Sequence, residues 1–293
     1  PRNAMTAERP PLVSVVIPTY NYAHYLGDAI KSVLDQSYST LEVIVVDNYS
    51  TDNTRELVES IKDKRVRFLR FQNGGSIAAA RNYGWRKSNG TLVAFLDADD
   101  KWLPDKLAKQ VPCHFPISNT ISHHNLRFFG SRSSGKTSGR KLSTVSLLDL
   151  LTRGNALATS SVIVSRSLLE SSKGFSEEAE IVSAEDFELW LRLAEKGANF
   201  RFLRKTLGFY RIHAGSSSYG RSALAAEKVV DAYRSKLRPK ESEKLDGWLA
   251  YAHAVSNSSG AHRIPLLLKA VRRASFRFKW RAVLRISGSL FLR

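Results

Sequence analysis

Four short strand-like runs, LVSVVI (12–17), LEVIVV (41–46), VRFLR (66–70) and TLVAFL (91–96), recur at intervals that leave room for one helix between each pair. The first, second and fourth are almost continuous Val, Ile and Leu, the pattern of strands buried on both faces. Helical spacing fills the gaps: Leu26, Ile30, Val33 and Leu34 share one face after the first run, and segments 54–62 and 77–87 follow the next two. Strands alternating with helices through short connections predict a mostly parallel α/β sheet covered on both sides. In such sheets ligands bind beyond the carboxyl ends of the strands. That edge collects the polar turns PTYNY, DNYSTDNT, QNGGS and DADD.

Beyond residue 113 the alternation loosens. SRSSGKTSGR (131–140) reads as a flexible basic loop, 143–153 as a helix and TSSVIVS (159–165) as a strand. EDFELWLRLAEKG (185–197) is an amphipathic helix ended by Gly197, and helical periodicity runs from about 221 onward. The single cysteine, Cys113, excludes an internal disulfide, and no run approaches the roughly 20 apolar residues of a membrane span. PRNAMTAERPP lacks the apolar stretch of a secretory leader, so a reducing, cytoplasmic setting is the expectation.

A net charge of +18 calls for an anionic partner: nucleic acid, a membrane surface or a phosphorylated substrate. Against that excess, FLDADDKWLPDKL crowds Asp97, Asp99 and Asp100 at the end of the fourth run. Residues 97 and 99 alternate at a strand end, so their side chains can converge. A carboxylate pair suits a hard divalent cation that completes its shell with water and phosphate oxygens. Such a cluster can equally be a solvated turn, and Asp100 ahead of WLPDKL can cap a helix. Glu185 and Asp186 open a helix where the dipole already favours negative charge. Cys113, His114, His123 and His124 lack the C-x-x-C spacing of a zinc site and read as strand and loop residues beside a pocket.

Taken together, VSVVIPTYN, VIVVDNYSTDNT, NGGSIAAARN, DADDKWLPDKL, EDFELWLRL and YRIHAGSSS resemble, in order and approximate spacing, the family 2 glycosyltransferases over about residues 12–218. The resemblance implies a GT-A fold within residues 5–218, with a donor-binding half at about 12–112 and an acceptor and catalytic half at about 113–218. Residues 219–293 are left as a basic helical extension. It implies inverting transfer of a sugar from a nucleoside-diphosphate sugar to a hydroxyl of a saccharide or lipid-linked acceptor, in bacterial surface polysaccharide synthesis. On this reading Thr19 and Tyr20 lie near the base and ribose. Asp47 accepts from a uracil or thymine imide N–H, which favours UDP- or dTDP-linked donors. Arg81 faces the donor or pairs with an acidic loop. Asp97 contacts ribose or metal, Asp99 coordinates Mn²⁺ or Mg²⁺ against the diphosphate, and His213 contacts the metal or diphosphate with Arg211 nearby. Asp186 is the general base and Glu185 its helper or substitute. The run Asp47, Asn48, Tyr49, Ser50 departs from the family's frequent Asp-Asp-Gly-Ser and so changes the turn. Trp102 with Leu103 and Pro104 anchors the metal loop, and Trp190 and Leu191 serve core or acceptor-side packing. The family's processive synthases carry transmembrane helices and a Gln-x-x-Arg-Trp motif, neither visible here, so one sugar per encounter is expected.

Beyond Asp246 there is no acidic residue, while Arg263, Lys269, Arg272, Arg273, Arg277, Lys279, Arg281, Arg285 and Arg293 supply nine positive charges. IPLLLKAVRRASFRFKWRAVLRISGSLFLR interleaves these with apolar residues as an interfacial helix does. Residues 263–293 are therefore expected to hold the protein peripherally on the anionic inner face of the cell membrane; the alternative is that their apolar face packs on the catalytic domain. Two other classes compete. A sugar-phosphate nucleotidyltransferase would carry a Gly-rich basic loop where PTYNYAHYL stands. A nucleic-acid-binding protein would explain the charge but not the ordered acids, and no nucleic-acid partner is expected.

Overall fold

The computed structural model describes residues 10–115, 119–130, 145–213, 222–256, 260–275, 279–283 and 285. The loop expected at 131–140 and the whole of AGSSS after His213 lie outside these residues. The first half alternates as expected: β1 (Val13–Thr19), α1 (Ala23–Leu34), β2 (Leu41–Asp47), α2 (Thr54–Ser60), β3 (Val66–Arg70), α3 (Ile77–Arg86) and β4 (Leu92–Phe95). β1 pairs in parallel with β2 and β4, and β2 with β3. Thr19 lies opposite Asp47 and Asp47 opposite Arg70, so the carboxyl ends finish level and their loops share one rim.

All seven residues of β1 and of β2 are buried, and the period of two divides them between two cores. Val13, Val15, Ile17, Val43 and Val45 meet Leu26, Ile30 and Val33 of α1 and Val58 of α2. Val16, Ile44 and Val46 face α3 and the helices of the second half. Each such side chain removed from water contributes about 1.5–3 kcal/mol. α3 lies close on the sheet because it carries Gly84: a Cβ there would stand 2.4 Å from Val16 Cγ1. That approach sets the depth of Arg81, one turn earlier on α3.

The second half comprises β5 (Lys101–Trp102), α4 (Lys106–Gln110), β6 (Thr120–Phe129), α5 (Leu147–Arg153), β7 (Ile163–Ser165), α6 (Arg166–Ser172), α7 (Glu185–Glu195) and β8 (Asn199–Arg211). The sheet reaches eight strands among the described residues, in the order β3-β2-β1-β4-β7-β6-β8-β5. β7 runs antiparallel to β4 and to β6, β5 antiparallel to β8, and β6 parallel to β8. The sheet is thus mixed, its parallel character confined largely to the first half. Of TSSVIVS only IVS is strand; Thr159–Ser161 forms a short 3₁₀ turn. α7 ends as anticipated, with Gly197 at φ 74° and the Ala198 N–H reaching Leu193 O at 2.9 Å.

α8 (Ser222–Asp231), α9 (Pro239–Ser256) and α10 (Gly260–Arg273) complete the described chain. Val230, Leu245, Trp248 and Leu249 share a core with Leu150, Phe187 and Trp190. Trp248 packs edge-on to Phe187 with ring centroids 5.8 Å apart and covers Gly154, where a Cβ would come within 2.2 Å of the indole. The expected boundary at 218/219 therefore separates segments that share one core. α10 forms its own small cluster, with Leu267, Ala270 and Ala282 against Ala250 and Ala254 of α9. His114 bonds Ser122 Oγ at 2.7 Å, and His123 packs on Phe202 at 4.9 Å.

Candidate active site

The level ends of β1, β2 and β4 open on a cavity of about 400 Å³. The four turns singled out in the sequence all line it: PTYNY through Thr19, Tyr20 and Tyr22, DNYS through Asn48, QNGGS through Asn73 and Gly75, and DADD through Asp97 and Asp99. Pro18, Ile77, Ala80, Ala98 and Tyr210 complete the wall. The first two loops are sewn together: Asn21 N–H donates to Ser50 Oγ and Asn21 Oδ1 accepts from Thr51 N–H, each at 2.8 Å. Asn21 and Tyr49 sit in the left-handed region at φ 54° and 56°, and Ser183, two residues before Glu185, at φ 77°. For non-glycine residues this conformation costs of order 1–3 kcal/mol and collects at functional sites.

Thr19 is buried, and its Oγ1 has no hydrogen-bond partner among the described residues although the residue lines the cavity. An orphaned buried hydroxyl at a cavity wall is a place for a ligand atom. Tyr20 stands at the mouth, 52% exposed. Asp47 is differently placed from the base contact expected of it. Its side chain is 1% exposed, both carboxylate oxygens accept from Ser50 N–H at 3.1 and 3.2 Å, and Arg70 Nε lies 3.8 Å away. In this conformation the turn itself satisfies the carboxylate, the Asx-turn role open to aspartate at a strand end.

Arg81 does not line the cavity. Its side chain is 3% exposed, with Nη2 donating to Asp97 Oδ1 at 2.8 Å and Nη1 to Glu185 Oε1 at 2.9 Å. Of the two expectations for Arg81, the acidic pairing describes its position. Two carboxylates from opposite halves of the chain thus share one buried cation, which joins the acidic turn after β4 to the start of α7. Glu185 is fully engaged, its Oε2 accepting from Ser183 N–H at 2.8 Å.

Asp186 is held differently. Its Oδ2 accepts from Asn155 Nδ2 at 3.1 Å and Thr159 Oγ1 at 3.0 Å, while Oδ1 accepts from Phe187 N–H at 2.6 Å. Burial, with Glu185 beside it, raises its pKa to about 6, against the opposing pull of Arg81 and these hydrogen bonds. Thr159 adjoins Ser160, whose Oγ accepts from Asp97 N–H at 3.1 Å, so the carboxylate at 186 and the acidic turn after β4 rest on one short 3₁₀ segment.

Asp99 Oδ2 lies 3.0 Å from His213 Nε2. Burial and the neighbouring Asp97 raise the Asp99 pKa, and burial with Asp99 and Asp97 raises that of Asp100 still further. Asp100 does not cap a helix: α4 begins at Lys106, and Asp100 Oδ1 accepts from Arg211 N–H at 2.8 Å. Arg211 also does not line the cavity. Its Nε donates to Asp99 O at 2.9 Å and its guanidinium lies between the rings of Tyr25 and Phe129, at 4.2 and 4.4 Å. It braces the acidic turn from behind. Trp102 does the same from below, its buried indole donating to Ser160 O at 2.7 Å.

These residues fit a divalent cation. Among the described residues no three His, Cys, Asp or Glu side chains form a site on their own. Asp99, which lines the cavity, is in contact with His213 just behind it, however, and a hard cation held by one or two protein groups takes its remaining oxygens from phosphates and water. Asp97 has one oxygen committed to Arg81, which leaves the other for ribose or cation.

Several residues of the site carry no distinguishing signal in the sequence. Tyr22 lies in a quoted turn, yet nothing separates it from Tyr20; burial, then Asp99, raises its phenol pKa. Asn155 comes from a stretch without periodicity, Thr159 from the start of a run that reads as strand, and Tyr210 from a strand whose pairing is non-local.

A sequence profile for Glycosyl transferase family 2 matches residues 14–114. TuaG of Bacillus subtilis, named as a teichuronic acid biosynthesis glycosyltransferase, is 32% identical over 228 residues, covering 76% of this chain and 88% of that one. WfgD of Escherichia coli, a UDP-Glc:alpha-D-GlcNAc-diphosphoundecaprenol beta-1,3-glucosyltransferase, is 32% identical over 184 residues, covering 62% and 69%. Among solved structures, the mannosyltransferase PcManGT of Pyrobaculum calidifontis, in complex with GDP-Man and Mn²⁺, superposes with a TM-score of 0.64 at 20% identity, covering 97% of this chain and 81% of that one. The α/β sheet with its flanking helices is thus a GT-A fold, and the chain belongs to glycosyltransferase family 2.

Proposed function

We propose that this glycosyltransferase moves one sugar, with inversion, from a UDP- or dTDP-linked donor to a hydroxyl of a lipid-linked saccharide at the cytoplasmic face of the membrane. The observation that carries the reading is the Arg81 bridge, which ties Asp97 at the donor cavity to Glu185 beside Asp186. Donor recognition and proton removal then belong to one hydrogen-bonded unit.

The cavity wall supports a uracil or thymine base. Asn48 Oδ1 accepts from Asn73 N–H at 3.0 Å and Asn73 Oδ1 from Gly75 N–H at 2.8 Å. Because each carboxamide oxygen is held by a backbone donor, each amide NH₂ is directed elsewhere, and neither has a partner among the described residues. Two donors suit the two carbonyls of uracil or thymine. Asp47, once released by Ser50, is the acceptor for the imide N–H between them. Thr19 Oγ1 and Tyr20 serve the ribose and base.

Mn²⁺ or Mg²⁺ bound by Asp99 and His213, with Asp97 at hand, would supply Lewis-acid charge at the leaving diphosphate. PcManGT carries Mn²⁺ in its complex. Arg211 keeps the acidic turn in place by gripping Asp99 O and Asp100. Asp186 takes the acceptor hydroxyl proton. With a pKa of about 6 it is largely ionised at neutral pH yet basic enough for the task, worth about 10²- to 10⁴-fold in rate. A single displacement assisted by a separate base inverts the anomeric carbon. The reaction for which WfgD is named, from UDP-glucose to a diphosphoundecaprenol-linked GlcNAc, supports the donor and acceptor classes.

The test is incubation of the protein with UDP-sugars, Mn²⁺ and a prenyl-diphosphate-linked saccharide, followed by mass spectrometry and proton NMR of the product. UDP release with an acceptor gain of one sugar in the inverted configuration is expected. Retained configuration, or transfer from no uridine or thymidine donor, would contradict the proposal.

A further inference from the structure

Half of the chain's net charge of +18 is carried by the nine basic residues that follow its last acid, Asp246. The structure shows which of them have partners. Arg273 lies 3.5 Å from Asp246, and Arg285 Nε donates to Tyr251 Oη at 3.2 Å. Lys269, Arg272, Lys279 and Arg281 make no ion pair among the described residues.

These cations do not stand on an ordinary solvated face. Toward α9, the helix α10 and the short helical segment at 279–283 present Leu267, Ala270 and Ala282, small and aliphatic residues that close a minor core. On the other side Leu268 is 45%, Trp280 60% and Val283 40% exposed. Pro265, Leu268, Lys269 and Arg272, at helical spacing i, i+3, i+4 and i+7, are all exposed on α10. Trp280 is followed by exposed Arg281 and Val283. A soluble face seldom leaves a tryptophan this bare, and anionic solutes alone would not call for apolar residues among the cations.

We propose that the outward face of α10 and of the helical segment 279–283 docks on an anionic lipid surface. Leu268, Trp280 and Val283 enter the headgroup layer, and Lys269, Arg272, Lys279 and Arg281 meet lipid phosphates. Indole rings favour that layer, and interfacial binding scales with buried apolar area plus attraction to anionic lipid. No described helix is long and apolar enough to cross a membrane, so the contact is superficial. Nucleic acid would match the charge but leave the apolar residues in water. A second copy of so basic a chain would meet like charge. The inference rests on charge and exposure alone, independently of the transfer chemistry, and it would bring the cavity to lipid-linked acceptors.

The test is co-sedimentation of the full chain with vesicles of phosphatidylcholine and with vesicles containing one-third phosphatidylglycerol. Binding to the anionic vesicles, weakened by salt, is expected, with little binding to the neutral ones. The triple variant Lys269→Glu, Arg272→Glu, Arg281→Glu should lower partitioning by at least about 100-fold, and Trp280→Ser by about 10-fold. Both should retain Mn²⁺-dependent thermal stabilisation by UDP, which shows that they fold and separates this proposal from the donor-site reading. Equal binding of neutral and anionic vesicles, unchanged partitioning of either variant, or complete displacement from vesicles by duplex DNA at matched phosphate concentration would overturn it.

Discussion

Replacing Asp186 by Asn should make the protein more stable while removing its activity, and the structure supplies the magnitude. The carboxyl is raised from its ordinary 3.8 to about 6 by burial and by Glu185. At 1.4 kcal/mol per tenfold, the folded state carries a penalty of about 3 kcal/mol for the ionised form. Because the folded pKa is the higher one, the penalty is absent below about pH 4, grows between about pH 4 and 6, and is constant above. Asparagine never ionises and so escapes it. The substitution costs part of that gain. Oδ1 can still accept from Phe187 N–H, and the Thr159 hydroxyl can turn to accept from the new amide. Asn155 cannot reverse, because its Oδ1 holds Leu157 N–H at 3.0 Å. One hydrogen bond is therefore lost, about 1 kcal/mol. The variant should be about 2 kcal/mol more stable than the parent at pH 7.5, a rise in Tm of about 5 °C, and about 1 kcal/mol less stable at pH 4. Denaturant or thermal unfolding at the two pH values, with transfer assays alongside, measures this. A stability difference that does not change between them, or a variant less stable at pH 7.5, would refute the burial argument. Transfer reduced by less than about tenfold would remove Asp186 from the role of base.

Three further outcomes follow from the same geometry. The kcat/KM of the parent should fall with a slope of one as pH drops below about 6, the value set at Asp186 by burial and Glu185; a flat acid limb down to pH 5 would contradict it. Arg81→Met leaves Asp97 and buried Glu185 without their shared cation and should cost about 3–5 kcal/mol in denaturant unfolding, whereas a loss under 1 kcal/mol would show that the bridge is not structural. Gly84→Ala places a methyl group 2.4 Å from Val16 Cγ1 and should destabilise by about 1–3 kcal/mol while slowing transfer, since α3 must lift and carry Arg81 with it; unchanged Tm and activity would show that the helix does not set that depth.

The first half of the fold was legible because its signal is local. Uninterrupted β-branched runs such as VSVVI can only be buried on both faces, and the level ends of β1, β2 and β4 then bring the four polar turns to one cavity. The second half was less legible because its strands carry buried polar residues. His123, His124 and Ser122 interrupt β6 and are accommodated by pairing with β8, nearly eighty residues later. Helical periodicity announced α8 and α9 but not their partners: Trp248 completes the core beneath α7 by sitting over Gly154, a contact no spacing reveals. Within the site, residue types foretold the acids but not their bonds. Asp47 is engaged by Ser50, and Arg81 and Arg211 act on Asp97 and Asp99 from outside the cavity, outcomes decided by which loops close on one another.

The central claim is that the cavity binds a nucleoside diphosphate through a divalent cation held by Asp99 and His213. Calorimetric titration of UDP into the protein, with and without Mn²⁺, tests it most directly. Saturable binding that requires Mn²⁺, and that Asp99→Asn abolishes without altering the fold, is the predicted result. Failure of uridine, thymidine and guanosine diphosphates alike to bind in the presence of Mn²⁺, or equal affinity in its absence, would contradict it.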